Sequence, residues 1–476
     1  MRTLFTGGTL VTATGPQTVD VLVDGQTIAA VLQPPGADGT YSVGTVQADE
    51  TVDARGKYVL PGGIDAHTHM ELPFGGTFAS DTFETGTIAA AYGGTTTIVD
   101  FAVQTTGGVV REALDSWMAK SEGNCAIDYG FHMILGGVDD AALKEMDLLV
   151  DEGITSFKLF MAYPGVFYSD DGQILQVMQK AAENGALITM HAENGIAIDV
   201  IAAQAAARGQ TDPKYHGITR PSRLEGEATH RAIQLAAVAG SPVYFVHLSG
   251  SEALEEVTRA RDEGLNVFAE TCPQYLYLTL EDHMAQPGFE GAKYVCSPPL
   301  RTNTASHGKD LWRGLRTNDL AMVATDHCPF CFKDQKELGL QDFRAIPNGI
   351  GGVEHRMDLI HQGVVDGELS LARWVETCST TPARMFGLYP RKGVIAPGSD
   401  ADIVLYDPTR RHIISVDNHH MNMDYSAYEG FDITGGVDAV WSRGTKIIDS
   451  ASGTPTYIGT KGHGRYLRRG LSQYLQ

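Results

Sequence analysis

The chain has 476 residues, of which 43% are hydrophobic, and a formal net charge of -22 at pH 7. This length and composition allow a sizeable buried core and exclude a fibrous or disordered protein. The negative charge, with no run of Lys and Arg, argues against partners such as nucleic acid or an anionic membrane.

Two further features bear on the cellular compartment. No stretch stays apolar for the roughly 20 residues that a membrane span needs, and the amino terminus has no signal-peptide pattern. Six cysteines in so long a chain are too sparse for a disulfide framework and fit a reducing compartment. We therefore expect a cytoplasmic protein.

Short strand patterns occur at both ends of the chain. Alternating or β-rich runs separated by Gly and Asp-Gly turn signals cover residues 4–12, 19–23, 27–32 and 51–53, and again 401–406, 412–416 and 439–448. We predict one β-sandwich built from residues 1–60 and 393–450, with the middle of the chain inserted between them. The tail, residues 451–476, is locally basic, and we expect it to be solvated or to contact another subunit.

The middle region, residues 61–392, alternates β-rich runs with helical patterns. The predicted strands are 63–67, 95–101, 129–135, 156–160, 187–191, 243–247, 266–270 and 322–325, with helices such as 141–152, 174–184, 223–239 and 252–263 between them. Eight such units predict an α/β fold, namely a (β/α)8 TIM barrel. A doubly wound parallel sheet gives the same local pattern.

His67 and His69 stand at the end of the first predicted barrel strand. Strand side chains alternate with period two, so both imidazoles point to the same side, where one metal ion can accept them. Such a pair alone is weak evidence for a metal site, because surface turns carry it by chance and a buried His is more often a hydrogen-bonded core residue.

Other residues of the metal-ligand type stand at the ends of other predicted strands. Lys158 lies in the fourth strand, His191 ends the fifth, His247 ends the sixth and Asp326 follows the eighth. In a barrel the carboxyl ends of the strands meet on one face, which carries the catalytic groups. The sequence therefore predicts a metal site on that face.

Four histidines and a carboxylate exceed the ligand set of one tetrahedral zinc with an open position, so we expect two divalent ions, most simply Zn²⁺. An ammonium on Lys158 would be costly in a buried site beside two cations. Its neutral amine can react with carbon dioxide to give a carbamate that bridges two metals. A lysine that reaches a neighbouring Asp or Glu is the alternative.

Two such ions can share a hydroxide, lower its pKa and polarise a substrate carbonyl. Asp326 is the candidate general acid and base, which takes the proton of the hydroxide and passes it to the leaving nitrogen. Tyr163 is the candidate donor to the developing oxyanion. The alternative for Tyr163 is that it only packs in its loop.

Seven segments together resemble the dihydropyrimidinase and D-hydantoinase family of cyclic amidohydrolases. They are residues 61–69 (PGGIDAHTH), 157–163 (FKLFMAY), 191–195 (HAENG), 246–249 (VHLS), 270–276 (ETCPQYL), 296–301 (CSPPLR) and 324–327 (ATDH). The resemblance implies a barrel with a β-sandwich, a dinuclear zinc centre bridged by N6-carboxylated Lys158, and hydrolytic ring opening of a small cyclic ureide or imide. It also implies a homotetramer.

The same resemblance assigns substrate contacts to Tyr163, Ser297 and Asn348, the last two through backbone groups that hold the amide edge of the ring. It assigns the apolar side chains Leu72, Phe74, Phe160 and Phe167 to the pocket for the exocyclic substituent; packing under a loop is their alternative. The implied substrates are dihydrouracil, dihydrothymine and 5-substituted hydantoins, which open to N-carbamoyl amino acids.

Several rival functions share part of this pattern. A dihydroorotase has an arginine where this chain has Glu71, and an anion there would repel the substrate carboxylate. An allantoinase ranks second to the hydantoinase reading. A non-catalytic scaffold protein of the family lacks the metal ligands, which are all present here. The pair Cys328 and Cys331 fits an active-site loop better than a redox site.

Overall fold

Strands at both ends of the chain flank a middle region in which strands and helices alternate. The computed structural model describes residues 1–37, 39–303 and 307–475. Its strands are β1 (Arg2–Thr6), β2 (Thr9–Thr12), β3 (Gly15–Thr18), β4 (Asp20–Asp24), β5 (Thr27–Leu32), β6 (Glu50–Asp53), β7 (Tyr58–Pro61), β8 (Gly63–Thr68), β9 (Pro73–Phe74), β10 (Thr77–Phe78), β11 (Thr95–Val103), β12 (Asp128–Ile134), β13 (Ser156–Phe160), β14 (Leu187–His191), β15 (Val243–Phe245), β16 (Val267–Thr271), β17 (Met322–Val323), β18 (Ile403–Ile413), β19 (Asp432–Ser442), β20 (Thr445–Asp449) and β21 (Thr456–Tyr457).

The α-helices of the same residues lie mainly between the strands of the middle region. They are α1 (Phe83–Tyr92), α2 (Val110–Ser121), α3 (Asp140–Asp151), α4 (Asp171–Asn184), α5 (Gly195–Ala207), α6 (Lys214–Ile218), α7 (Ser222–Ala239), α8 (Ser251–Asp262), α9 (Pro273–Tyr277), α10 (His307–Thr317), α11 (Arg356–Val365), α12 (Leu371–Val375) and α13 (Thr381–Met385). Across the described chain, no helix is both long enough and apolar enough to cross a membrane.

The middle region forms a parallel barrel. β8 and β11 to β17 make one eight-stranded sheet in which each strand pairs with the next along the chain. Sequential order is typical of a barrel, whereas a doubly wound sheet reverses direction at its centre. The first and last units meet where Thr68 pairs in parallel with His327, just after β17. The predicted (β/α)8 barrel is confirmed.

The two chain ends combine in a second unit. One sheet has the order β5-β4-β1-β6, and the other has the order β21-β20-β19-β18-β7-β2-β3. In the larger sheet β7 pairs with both β2 and the carboxyl-terminal strand β18. Phe5 and Trp441 meet in the core of this unit, with ring centroids 4.9 Å apart. The predicted β-sandwich from both ends is therefore confirmed.

Turns divide two of the predicted strands. Residues 4–12 belong to β1 and β2, because the chain turns at Gly7, which has a φ of 73° that favours glycine. Residues 439–448 belong to β19 and β20, which are joined by a turn at Arg443 and Gly444 with φ values of 44° and 71°. Conversely, residues 403–413 form one long strand, β18, where two short runs were predicted.

The carboxyl-terminal tail closes the amino-terminal end of the barrel. The Leu467 N–H donates to the Tyr129 carbonyl at 2.7 Å, and the Tyr129 N–H donates to the Arg465 carbonyl at 3.0 Å. Arg469 is buried and donates to Ser156 Oγ at 2.8 Å. The prediction of a solvated tail is wrong for this segment, because its polar groups form hydrogen bonds with backbone groups and a hydroxyl of the barrel. Gln476 lies outside the described residues.

A buried ion cluster joins the barrel to the sandwich. Lys392 Nζ lies 2.6 Å from an oxygen of Asp128 in β12, 2.7 Å from Asp402 and 3.0 Å from Asp400. Arg443, beside β19, also pairs with Asp128. The Lys392 side chain is 1% exposed, so each charge in the cluster is stabilised by the opposite charges around it and not by water.

Replacing Lys392 by methionine removes the cation that the three carboxylates share. We expect the free energy of unfolding to fall by about 3–5 kcal/mol, because the buried carboxylates lose the lysine that they share and keep only part of their charge compensation. Denaturant titration followed by circular dichroism measures the change. The control is Lys180→Met at a surface pair with Asp147, for which we expect less than about 1 kcal/mol. Equal losses in the two variants would contradict the special role of the cluster.

Candidate metal centre and substrate pocket

Three of the predicted ligands meet where the first and last barrel units join. His67 lies in β8, His69 follows it, and Asp326 follows β17. Asp326 Oδ1 is 3.2 Å from Nε2 of His67 and 3.2 Å from Nε2 of His69. One ligand atom from each of these buried residues lies within 4.8 Å of the other two. Two imidazole nitrogens and a carboxylate oxygen at this spacing can hold one divalent ion.

The remaining predicted ligands form a second group beside the first. Nδ1 of His191, at the end of β14, is 3.0 Å from Nε2 of His247, which follows β15. Lys158 Nζ is 3.1 Å from His67 Nε2, and the ring centroids of His67 and His247 are 5.3 Å apart. The structure thus brings all six residues together at the carboxyl ends of the strands.

The four histidines have the protonation state that metal binding needs. Burial lowers the pKa of His67 and His247 well below the usual value of 6.5, and it also lowers the pKa of His69 and His191. The imidazoles are therefore neutral at pH 7, and the neutral form is the one that ligates a metal. This donor set fits a pair of divalent ions such as zinc.

Lys158 lies among aromatic and imidazole groups. Its side chain is 1% exposed, and Nζ lies 4.5 Å from the centroid of the Phe101 ring. Burial lowers the pKa of Lys158 to about 8, which makes the neutral amine accessible near physiological pH. None of the ion pairs in the described parts of the chain involves Lys158, so the alternative of a lysine paired with a neighbouring acid receives no support from the geometry.

Two buried carboxylates orient these histidines from outside. Glu270 accepts a hydrogen bond from Nδ1 of His67 and another, at 3.1 Å, from the backbone N–H of His247. Glu193 accepts from Nε2 of His191 at 2.9 Å. In each case the other ring nitrogen is left facing the centre, which is the usual arrangement around a bound metal. Sequence reasoning missed both residues, although Glu270 ended a predicted strand and Glu193 lies two residues after His191.

An apolar cavity opens beside the six ligands. Tyr163, Ser297 and Asn348 line it, and Asn348 Nδ2 donates to Ser297 Oγ at 3.1 Å. The side chains of the two predicted pocket loops also line this cavity, namely Leu72, Phe74, Phe160 and Phe167. The rings of Phe74 and Phe167 are stacked with centroids 6.5 Å apart. These side chains give the cavity an apolar wall beside the six ligand-type residues.

Several cavity residues adopt a backbone conformation that side chains disfavour. Tyr163, His247 and Asp326 have positive φ values of 60°, 41° and 52°. Such strain costs of order 1–3 kcal/mol for each residue and persists where the surrounding structure fixes a functional geometry. Burial also raises the pKa of Tyr163 to about 12. The phenol therefore keeps its proton at neutral pH and can donate a hydrogen bond.

The Glu71 side chain is directed toward the start of α1 and not toward the cavity. Its carboxylate accepts a hydrogen bond from the Phe83 N–H at the start of α1, at 3.3 Å, and it is not among the residues that line the cavity. A positive φ of 54° at Glu71 accompanies this orientation. The expected repulsion of a substrate carboxylate by Glu71 stays a prediction, and the absence of an arginine there still argues against a dihydroorotase.

The neighbours of Asp326 hold the first and last units together. The His69 N–H donates to the His327 carbonyl at 2.8 Å, and Nε2 of His327 lies 3.0 Å from Asp81. Cys328 lines the cavity, and burial raises its thiol pKa well above the usual value. Cys328 and Cys331 are both free thiols, and Cys328 alone of the two lines the cavity; the assignment of the pair to an active-site loop stays a prediction.

Known proteins resemble this chain in both sequence and structure. The sequence model of the amidohydrolase family matches residues 58–447. A D-hydantoinase of Streptomyces coelicolor is 63% identical over 474 residues, which cover 100% of this chain and 99% of that protein. A D-hydantoinase of Geobacillus stearothermophilus is 45% identical over 98% of this chain and 97% of its own. The crystal structure of a dihydropyrimidinase from Brevibacillus agri NCHU1002 superposes with a TM-score of 0.94 at 46% identity, over 99% of each chain.

Loss of one histidine should remove one ion. We expect wild-type protein to bind two divalent ions per chain, and His191→Ala to bind about one, because His247 is then the lone imidazole of its pair. Elemental analysis of dialysed protein measures the stoichiometry. His230→Ala, at a half-exposed position outside the barrel mouth, should retain two ions. Wild-type protein free of metal, or a His191→Ala protein with two ions, would contradict the assignment.

Proposed function

The chain belongs to the amidohydrolase family, within it to the dihydropyrimidinase and hydantoinase group, and is a cyclic amidohydrolase; from this we propose that it opens 5-substituted hydantoins or 5,6-dihydropyrimidines such as dihydrouracil and dihydrothymine. Water adds across the ring amide bond, and the products are N-carbamoyl amino acids. The observation that carries the proposal is the meeting of four histidines, Lys158 and Asp326 beside one apolar cavity.

The proposed centre holds two zinc ions. His67, His69 and Asp326 would hold one ion, His191 and His247 would hold the other, and N6-carboxylated Lys158 would serve both. When bound, the ions supply Lewis acidity that favours deprotonation of water and polarises the ring carbonyl. The carbamate forms when the neutral amine of Lys158 attacks carbon dioxide and loses one proton, and the pKa of about 8 supports this step.

Asp326 moves the proton in the proposed reaction. It takes a proton from the attacking water and delivers it to the ring nitrogen as the C–N bond breaks, first as general base and then as general acid. Asp326 lines the cavity and lies within 3.2 Å of two histidine nitrogens. These contacts support a role for the carboxylate at the edge of the cavity.

Tyr163 stabilises charge on the substrate. Its hydroxyl donates a hydrogen bond to the carbonyl oxygen as that oxygen becomes negative. Burial keeps the phenol protonated, since its pKa is about 12. Backbone groups of Ser297 and Asn348 hold the amide edge of the ring, and these two residues line the cavity.

The pocket also indicates which ring substituents are preferred. Phe74, Phe160 and Phe167 offer an apolar surface beside the ring site, so an aromatic or aliphatic group at the 5-position gains by burial. The ureido group of allantoin and the carboxylate of dihydroorotate gain no such contact. We therefore rank allantoin hydrolysis second.

An assay of five compounds against zinc-loaded protein tests the proposed function. Dihydrouracil, hydantoin, 5-phenylhydantoin, allantoin and dihydroorotate are compared by kcat/KM. We expect turnover of the first three, highest for 5-phenylhydantoin, and little for the last two. Preference for allantoin would move the assignment to an allantoinase, and inactivity toward all five would overturn it.

Three broader expectations accompany the proposal. We propose a homotetramer on the strength of the resemblance, and a cytoplasmic location on the strength of the sparse cysteines. Light scattering with size-exclusion chromatography tests the assembly. We also keep the division into residues 1–60, 61–392, 393–450 and 451–476. Strands at both ends of the chain in one sandwich, and the barrel between them, support this division.

Removing the Lys158 amine should abolish catalysis. We expect Lys158→Ala to lose ring opening and bound metal, because alanine has no amine to carry the carbamate. A short carboxylic acid such as acetate, added with zinc, should restore part of the activity. Lys120→Ala, outside the cavity, serves as the control. Wild-type activity in Lys158→Ala would refute the bridging role.

Removing the Tyr163 hydroxyl should slow the reaction without releasing metal. We expect Tyr163→Phe to lower kcat by about 10²–10³, the range for loss of one oxyanion donor. Steady-state kinetics and elemental analysis give the two readouts. Tyr168→Phe, in the same loop but outside the cavity lining, is the matched control. Unchanged turnover in Tyr163→Phe would remove Tyr163 from the mechanism.

A further inference from the structure

Lys336 lies behind the two loops that carry Ser297 and Asn348. Its side chain is fully buried, with 0% exposure. Nζ donates three hydrogen bonds, to the carbonyl oxygens of Val295 at 2.9 Å, Pro347 at 2.7 Å and Gly349 at 2.8 Å. An ammonium has three N–H donors, so all of them are used.

The three carbonyls flank the proposed substrate residues. Val295 lies two residues before Ser297, and Pro347 and Gly349 stand on either side of Asn348. The Gly349 N–H also donates to the Val295 carbonyl at 2.9 Å. One ammonium therefore ties together two loops that are some 50 positions apart in the sequence, at the point where both reach the cavity.

The cost of burying this charge indicates that its hydrogen bonds matter. In the described residues no carboxylate pairs with Lys336, and the nearest aromatic ring, that of Phe330, has its centroid 5.8 Å away. Burial by itself disfavours the charge and lowers the pKa of Lys336, whereas the three carbonyl oxygens favour the charged form. A buried cation without a counter-ion is unfavourable unless polar groups surround it. Ordinary ion pairing does not explain this lysine.

We propose that Lys336 is a positioning residue for substrate binding: by clamping the carbonyls beside Ser297 and Asn348, it sets the spacing of the backbone groups that read the amide edge of the ring. This inference rests on the proposed function. Lys336 itself does not line the cavity, so it acts through the loops and never touches the substrate. Without the clamp, the three carbonyls lose the ammonium donor, and the hydrogen bonds that remain, from Gly349 to Val295 and from Asn348 to Ser297, hold the two loops less firmly.

The test compares three zinc-loaded variants with wild type on a cyclic imide that wild type hydrolyses. Lys336→Met keeps the length of the side chain and removes every donor, and Lys336→Gln keeps a shorter amide donor. Lys333→Met, at an exposed position three residues earlier, is the control. We expect Lys336→Met to raise KM about tenfold or more with kcat within about threefold, because the lost contacts bind substrate and transition state alike.

Additional readouts separate positioning from a general loss of structure. Bound metal should stay at the wild-type level in Lys336→Met, and Lys336→Gln should give an intermediate KM. If the methionine variant does not fold, the glutamine variant carries the same comparison with Lys333→Met. A KM within twofold of wild type in a folded Lys336 variant, or a fall in kcat alone, would overturn the inference.

The same experiment distinguishes failure of the inference from failure of the proposed function. Absence of wild-type turnover on every cyclic imide would contradict the proposed function. Wild-type turnover with a KM that does not change in the Lys336 variants would contradict only the positioning role of Lys336. Lys392→Met, which disturbs a buried lysine far from the cavity, should lower the stability and leave KM unchanged.

Discussion

The candidate site depends on the pairing that joins the first and last units of the barrel. Thr68 pairs with His327, and the His69 N–H donates to the His327 carbonyl at 2.8 Å. These contacts place Asp326 beside His67 and His69, although some 260 positions separate them in the chain. A parallel sheet that stayed open would leave the carboxylate and the two imidazoles on opposite edges. Closure of the barrel is therefore a condition for the chemistry.

Around this junction, buried polar groups are held by other buried polar groups. Glu270 and Glu193 fix the orientation of His67 and His191, and Lys336 fixes the loops on the substrate side. Each of these contacts is made in a region without solvent, where an unpaired polar atom is costly. Burying these polar groups costs free energy, and the contacts between them leave the groups of the site little freedom to move.

The sequence was sufficient for the elements that follow local rules. Strand and helix periodicity gave the barrel and the sandwich, and the ends of the strands gave the six ligand-type residues, because parallel strands converge at one face. Local rules did not give the direction of the Glu71 side chain, which follows from a positive φ and a helix N-terminus. Nor did they give the contacts of Glu270 or Arg469, which depend on partners far along the chain.

The tail beneath the barrel has a consequence for biosynthesis. Residues 464–469 hydrogen-bond to Tyr129 and Ser156, yet the ribosome makes them after all eight barrel strands. The same holds for β18, which must find β7 across more than 300 residues. Synthesis proceeds at roughly 5–20 residues per second. For many seconds, therefore, the amino-terminal end of the barrel stays uncovered and one edge of the sandwich sheet stays unpaired. During translation the nascent chain therefore exposes surface that the finished fold covers, which is the condition in which chaperones assist folding.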